Sequence, residues 1–205
     1  MSLHRSWMAA GFIGALVAIT PSVASAKGTL FMIEVQGGVG ESAFSGGGPG
    51  AAYGLSAGAT VKFTSFPVRW YLLGTVIGRN TFVEGRHQGI GFEADRRELD
   101  IFVSQRTVVP VWRFVRVYFE TGLGQRLMSQ TIRRREQLGN LSASSNQLLM
   151  VLGLGLQARL TDVVSVGVRG EITPLDVDAD VASFAVDLQP ETNRLSLFAQ
   201  VGIHF

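Results

Sequence analysis

Residues 147–160 read Gln-Leu-Leu-Met-Val-Leu-Gly-Leu-Gly-Leu-Gln-Ala-Arg-Leu, and their alternation decides the fold. Leu148, Met150, Leu152, Leu154, Leu156, Ala158 and Leu160 fall on one parity. Gln147, Leu149, Val151, Gly153, Gly155, Gln157 and Arg159 fall on the other. Successive side chains of a strand point to opposite faces, so one face here is apolar and the other mixes glycine, amide and charge. A strand of this length crosses a bilayer at a tilt, which takes about 9–11 residues.

The same period recurs on both sides. Upstream, Phe31, Ile33, Val35 and Val39 alternate with Met32, Glu34, Gln36 and Gly38, and Tyr53, Leu55, Ala57, Val61 and Phe63 alternate with Gly54, Ser56, Gly58 and Lys62. The run 68–79 is less clean, because Tyr71, Leu73 and Ile77 share parity with Arg69, Thr75 and Arg79. Leu99, Ile101 and Val103 oppose Glu98, Asp100, Phe102, Ser104 and Arg106. Val115, Val117, Phe119, Leu123 and Leu127 oppose Arg116, Tyr118, Glu120 and Arg126. Downstream, Val164, Val166, Val168 and Ile172 oppose Ser165, Arg169 and Glu171. Leu195, Leu197, Ala199, Val201, Ile203 and Phe205 oppose Arg194, Ser196, Phe198, Gln200 and His204.

That makes eight strands. Short connections fall near 65–67, 107–112 and 161–163, and long polar ones near 42–50, 80–96, 130–145 and 174–192. Short turns alternating with long loops are the rhythm of an outer-membrane barrel. The predicted fold class is all-β, an eight-stranded antiparallel up-and-down transmembrane β-barrel. Charge facing lipid at mid-bilayer costs about 2–4 kcal/mol in such a barrel, so the charged parity belongs inside. A lipocalin-like soluble barrel would reverse the two faces. The glycines of the inward parity relieve crowding in a narrow lumen.

Composition narrows the function. The 205 residues are 46% hydrophobic and 17% charged, with 25 glycines and no cysteine. The apolar content excludes disorder. The missing cysteine excludes a disulfide scaffold and a thiolate metal site. A formal charge of +2 gives no field for nucleic acid.

Residues 1–26 read as a cleaved signal peptide: Arg5 precedes an apolar stretch over Met8–Ile19, and Ala24-Ser25-Ala26 offers the small-x-small cleavage pattern. The competing reading is an anchor, but the stretch is shorter than the ~20 residues of a spanning helix. The barrel is expected over 27–205.

The last strand, Leu195-Ser-Leu-Phe-Ala-Gln-Val-Gly-Ile-His-Phe205, alternates and ends on an aromatic residue. It resembles the C-terminal insertion signal of outer-membrane proteins, with Leu197, Val201, Ile203 and Phe205 as its apolar positions. With the signal peptide and eight runs, the chain resembles the small eight-stranded outer-membrane barrels, the group of OmpA-type transmembrane domains, OmpX and OmpW. The segment Leu160-Thr-Asp-Val-Val-Ser-Val-Gly-Val also resembles a periplasmic turn and strand of such barrels. The resemblance implies the outer membrane of a Gram-negative cell envelope and insertion by the barrel-assembly machinery. It also implies contact with outer-membrane lipid and lipopolysaccharide, and a monomeric state. Phe63, Phe66, Trp70, Trp112, Phe114 and Phe205 gather near the proposed periplasmic ends as one aromatic girdle.

The candidate site is the inward face. Glu34, Glu98, Asp100, Glu120 and Glu171 nearly balance Lys62, Arg106, Arg116, Arg126, Arg159 and Arg169. An eight-stranded barrel is just wide enough for its own side chains, so these groups are expected to pair into a largely closed plug. The alternative is a narrow or gated channel for small solutes or ions. A lipid-modifying enzyme is a third reading. It needs a nucleophile beside a base, and the histidines after residue 26 are His87, in a predicted loop, and His204. Serines 129, 142, 144 and 145 lie near the outer rim without a recognisable motif. The expectation is a non-enzymatic protein with no cofactor and no metal. Asp176, Asp178 and Asp180 have the spacing of a calcium loop, but its glycine position holds Val181 and no glutamate closes it. Arg96, Arg97, Arg133, Arg134 and Arg135 are candidate contacts for lipopolysaccharide phosphates.

Overall fold

The computed structural model describes residues 31–40, 50–61, 68–87, 90–134, 140–173 and 194–205. The signal peptide, Lys62, Phe63, Phe66, Arg135 and the acidic stretch 176–187 lie outside them. Eight strands form one closed antiparallel barrel in chain order: β1 (Phe31–Gly40), β2 (Gly50–Val61), β3 (Arg69–His87), β4 (Ile90–Pro110), β5 (Val115–Arg134), β6 (Asn140–Arg159), β7 (Val164–Thr173) and β8 (Arg194–His204).

Closure pairs the first strand with the last. Met32 faces His204 and Gly40 faces Ser196 across the seam. Phe31 and Phe205 exchange both backbone hydrogen bonds, at 3.3 and 3.0 Å, at the turn end of that seam. No sheet edge is left along it, as a barrel in lipid requires. The carboxyl-terminal residues Leu197, Val201 and Ile203 therefore close the barrel, with Leu197 and Val201 exposed on its exterior.

The inside–outside assignment follows the alternation in every strand. The exterior carries Leu72, Val76, Ile101, Val103, Phe119, Leu123, Leu154, Leu156, Val168 and Leu197, all exposed. The charged parity is buried. In β3 the mixed run resolves the same way. Tyr71, Leu73, Thr75, Ile77 and Arg79 all point in, and Trp70, Leu72 and Val76 point out. Exposed Trp70, Trp112 and Phe114 and half-buried Phe205 lie at the turn end, the described part of the expected girdle, and exposed Phe31 stands with them.

The turns there are tight. Leu160 and Thr161 donate to Val164 O at 3.0 and 3.2 Å. The Thr161 hydroxyl accepts from Val163 N at 3.2 Å and Val164 N at 2.9 Å, the local side-chain bond that favours threonine in turns. Val111 and Trp112 likewise donate to Val115 O.

Strand length departs from expectation at the opposite end. The predicted loops 80–96 and 130–145 are mostly strand. Pairing of β3 with β4 continues to His87–Ile90, and β5 with β6 to Arg133–Asn140. These four strands run 19, 21, 20 and 20 residues, against 10–12 for the other four. About half of that length suffices to cross the bilayer, so β3–β6 project beyond it as a four-stranded sheet. Their outer positions are mostly polar: Glu84, Asp95, Arg97, Ser129, Arg133, Ser142 and Ser144 are exposed, with Phe82 an apolar exception. Residues 107–110, expected in a turn, also belong to β4.

Candidate functional site

Alternation aims long charged side chains from six strands at one narrow axis, and they join end to end. At the turn side of the network, Arg106 on β4 donates from Nη1 and Nη2 to both oxygens of Glu34 on β1, each at 2.9 Å. Its Nε donates to Glu120 Oε2 at 2.8 Å. Ser104 Oγ adds a 2.7 Å bond to Glu120 Oε1. Arg169 on β7 reaches the same oxygen at 3.3 Å and Glu171 Oε2 at 2.8 Å.

The network continues outward. Arg79 on β3 donates to Glu171 Oε1 at 2.7 Å and also to Asp100. Arg126 on β5 takes Asp100 in a fork, Nε to Oδ1 at 2.6 Å and Nη2 to Oδ2 at 2.9 Å. The same Nε lies 3.8 Å from Glu98 Oε2. Glu98 then joins Arg194 on β8 and Arg96 on β4, each at 2.8 Å. One unbroken ladder runs from Glu34 to Arg96. Its five carboxylates and six guanidiniums all belong to buried residues, none more than 5% exposed. Paired, forked geometry of this kind offsets much of the desolvation penalty of buried charge.

Amides and apolar groups complete the filling. Gln200 Nε2 bonds Glu34 Oε1 at 2.7 Å, and Arg169 Nη1 bonds Gln36 Oε1 at 3.0 Å. Tyr118 hydroxyl donates to Gln200, and its ring lies 4.3 Å beneath the Arg106 guanidinium. Met32, Tyr71, Leu73, Val108 and Tyr118 pack one apolar layer. Ala52, Ile77, Phe102, Leu149, Val151 and Phe198 pack another. Gly155 makes room for this: a side chain there would strike the Tyr118 ring.

Of the eleven lumen residues expected from sequence, Glu34, Glu98, Asp100, Arg106, Glu120, Arg126, Arg169 and Glu171 meet in the ladder. Arg116 and Arg159 lie on the same inward parity but outside it, half-buried at the turn end. Arg79, Arg96 and Arg194 belong to the ladder and were not assigned to it. Arg79 sits in the mixed run of β3, and Arg194 opens its strand, which obscured both. Arg96 corrects an expectation. It is not a lipopolysaccharide contact in a loop but a buried lumen residue of β4, because the strand continues past the membrane and even positions of β4 keep facing inward. Arg97 and Arg133 are exposed on the exterior, with Arg97 3.7 Å from Asp95. Arg134 ends β5, and His87 ends β3 rather than standing in a loop.

Sequence reading also missed a Ser–His contact. Ser165 Oγ lies 2.7 Å from His204 Nε2, and Gln157 Nε2 donates to Ser165 Oγ at 2.9 Å. Both residues are buried, and among the described residues His204 Nδ1 has no partner. The orienting carboxylate of a nucleophilic triad is absent from this contact. Among the described residues, no cluster of histidine and carboxylate groups suits a metal ion.

An apolar exterior, a charged interior and closure without a free seam define a small eight-stranded β-barrel of the outer-membrane type. On that fold, the exposed leucine and valine belt places the protein in the bacterial outer membrane. Solved structures agree on the fold. A major outer membrane protein from Thermus thermophilus matches with a TM-score of 0.58 at 14% identity, over 85% of this chain and 99% of that one. Neisserial surface protein A matches with a TM-score of 0.55 at 14% identity, over 85% and 97%. Ail of Yersinia pestis, solved with the heparin analogue sucrose octasulfate, matches with a TM-score of 0.50 at 12% identity, over 86% and 96%. No family model and no curated protein sequence matches the chain.

Proposed function

We propose that the protein is a closed, non-enzymatic outer-membrane barrel that reinforces the membrane and presents a projecting sheet at the cell surface. The ion-paired ladder carries this reading. Among the described residues it runs continuously along the axis beside two apolar layers, which favours a filled lumen over an open path. The projecting part of β3–β6 supplies the surface for interaction. Arg97 and Arg133, on its exposed outer face beyond the lipid-facing belt, are suited to lipopolysaccharide phosphates. A non-enzymatic role is supported by the buried, acid-less setting of the Ser165–His204 contact.

Planar-bilayer recording tests the closed lumen. The wild type is expected to give no reproducible conductance, and Glu120→Ala or Arg126→Ala to raise only flickering events. Steady wild-type conductance abolished or enlarged by those substitutions would establish a channel instead. Mass spectrometry of lipid A from cells with and without the protein tests the enzymatic reading. An altered acyl pattern would overturn the non-enzymatic one.

A further inference from the structure

The turn end of the lumen has a charge character unlike the balanced ladder. Arg69 on β3, Arg116 on β5 and Arg159 on β6 are each half-buried on the inward parity. They stand within electrostatic reach of one another, and all three, with Arg106, act on the His204 ring. Arg106 is held by Glu34 and Glu120. Asp162, on the exposed turn 160–163, acts on Arg159. Among the described residues Arg116 has no carboxylate partner.

The same mouth holds Ser165 and His204 in one hydrogen-bonded set. Ser165 Oγ accepts from Gln157 Nε2 at 2.9 Å. Its own proton can go to His204 Nε2 at 2.7 Å or to the Gly202 carbonyl at 3.5 Å. The ring's tautomer sets the direction of the shorter contact. With the hydroxyl proton on that contact, Nε2 accepts and the ring carries its proton on Nδ1. Among the described residues Nδ1 is buried with no partner. A buried donor is normally satisfied, and here it stands in a field of arginines that no ligand of positive or neutral charge would relieve.

We infer that Arg69, Arg116, Arg159 and the Nδ1–H of His204 form a binding site for a phosphate group at the periplasmic mouth of the barrel. A phosphate offers several acceptor oxygens and a dense negative charge, which suit forked guanidinium donors. It would satisfy the His204 donor and relieve the mutual repulsion of the three arginines. Two sources present this chemistry at that mouth: free inorganic phosphate, and the headgroup of a phospholipid in the facing leaflet. The site is independent of whether the lumen above it conducts.

Phosphorus-31 line broadening on the refolded chain in dodecyl maltoside separates the sources. Inorganic phosphate and short-chain phosphatidylglycerol are titrated separately. Saturable broadening is expected with at least one, and the ligand that saturates at lower concentration identifies the source. Arg116→Gln is expected to weaken that affinity about tenfold, the worth of ~1.4 kcal/mol. Arg113→Gln, which removes an exposed arginine from the neighbouring turn, is expected to leave it unchanged. No saturation with either ligand, or identical curves for wild type and Arg116→Gln, overturns the site. If Arg116→Gln fails to give a heat-shifted band, nitrogen-15 spectra of His204 in the wild type decide. A proton on Nδ1 whose signal moves with ligand supports the site, and a proton on Nε2, or a signal that does not move, overturns it.

Discussion

Arg106 and Glu34 stand on strands that are not neighbours, β4 and β1, and meet across the barrel in two parallel hydrogen bonds of 2.9 Å. The pair ties opposite walls together. Glu34 has one further bond, from Gln200, whereas Arg106 also holds Glu120. Removing Glu34 therefore leaves a buried guanidinium with half its partners. Breaking a buried pair from one side costs about 3–5 kcal/mol. Glu34→Ala is expected to lower stability by roughly that amount, read from urea unfolding in lipid vesicles by the heat-shifted gel band. A loss below ~1 kcal/mol would mean that water already reaches the pair.

Backbone spacing across the seam between β4 and β5 gives a sharper contrast. A Cβ on Gly124 would fall on the carbonyl oxygen of Ile101. That atom belongs to the backbone and has no rotamer to escape into. A Cβ on Gly37 would meet nothing within 4 Å. Gly124→Ala is expected to prevent formation of the heat-shifted band, and Gly37→Ala to leave it intact. Equal folding of the two would show that the β4–β5 register can shift to absorb a methyl group.

The legible part of this fold was the part immersed in lipid. There one face must be apolar, so Leu99, Ile101 and Val103 against Glu98, Asp100 and Ser104 announce both a strand and its orientation. Beyond the bilayer the constraint lapses. Both faces of a strand tolerate polar residues in water, so the stretches around Glu84, Asp95, Ser129 and Ser142 carry no alternation of hydropathy and read as loops. The backbone ladder nevertheless continues through them. Arg96 reads as a loop residue for that reason. Members of the lumen network were legible as inward charges, but not their partners, since Arg79 of β3 and Glu171 of β7 meet only once the barrel closes. The Ser165–His204 contact was hidden likewise, joining β7 to β8 across a pairing that a single strand pattern does not reveal.

Orientation in the membrane predicts a depth dependence. Leu123 is 62% exposed in the middle of the exterior belt, and Val111 is 63% exposed on a turn at its edge. Arginine facing lipid costs about 2–4 kcal/mol near the midplane and ~0–1 near the interface. Leu123→Arg is expected to lose stability in that larger range, and Val111→Arg to stay within the smaller one, in the same urea assay. A soluble barrel would show no such difference, because both positions would already face water.

Arg79 is the link between the two halves of the ladder, so its removal tests whether the charges act as one network. It joins Glu171, which also has Arg169, to Asp100, which also has the forked Arg126. Each carboxylate keeps a strong partner when Arg79 is lost. Arg79→Met, which retains volume without charge, is therefore expected to cost less than Glu34→Ala, on the order of 1–2 kcal/mol. Combined with Glu171→Gln it should show a coupling of about 0.5–3 kcal/mol in a double-mutant cycle. Strict additivity would mean that the halves are separate clusters. Coupling would mean that the ladder holds the lumen as a unit, and that opening a path through it requires several pairs to part together.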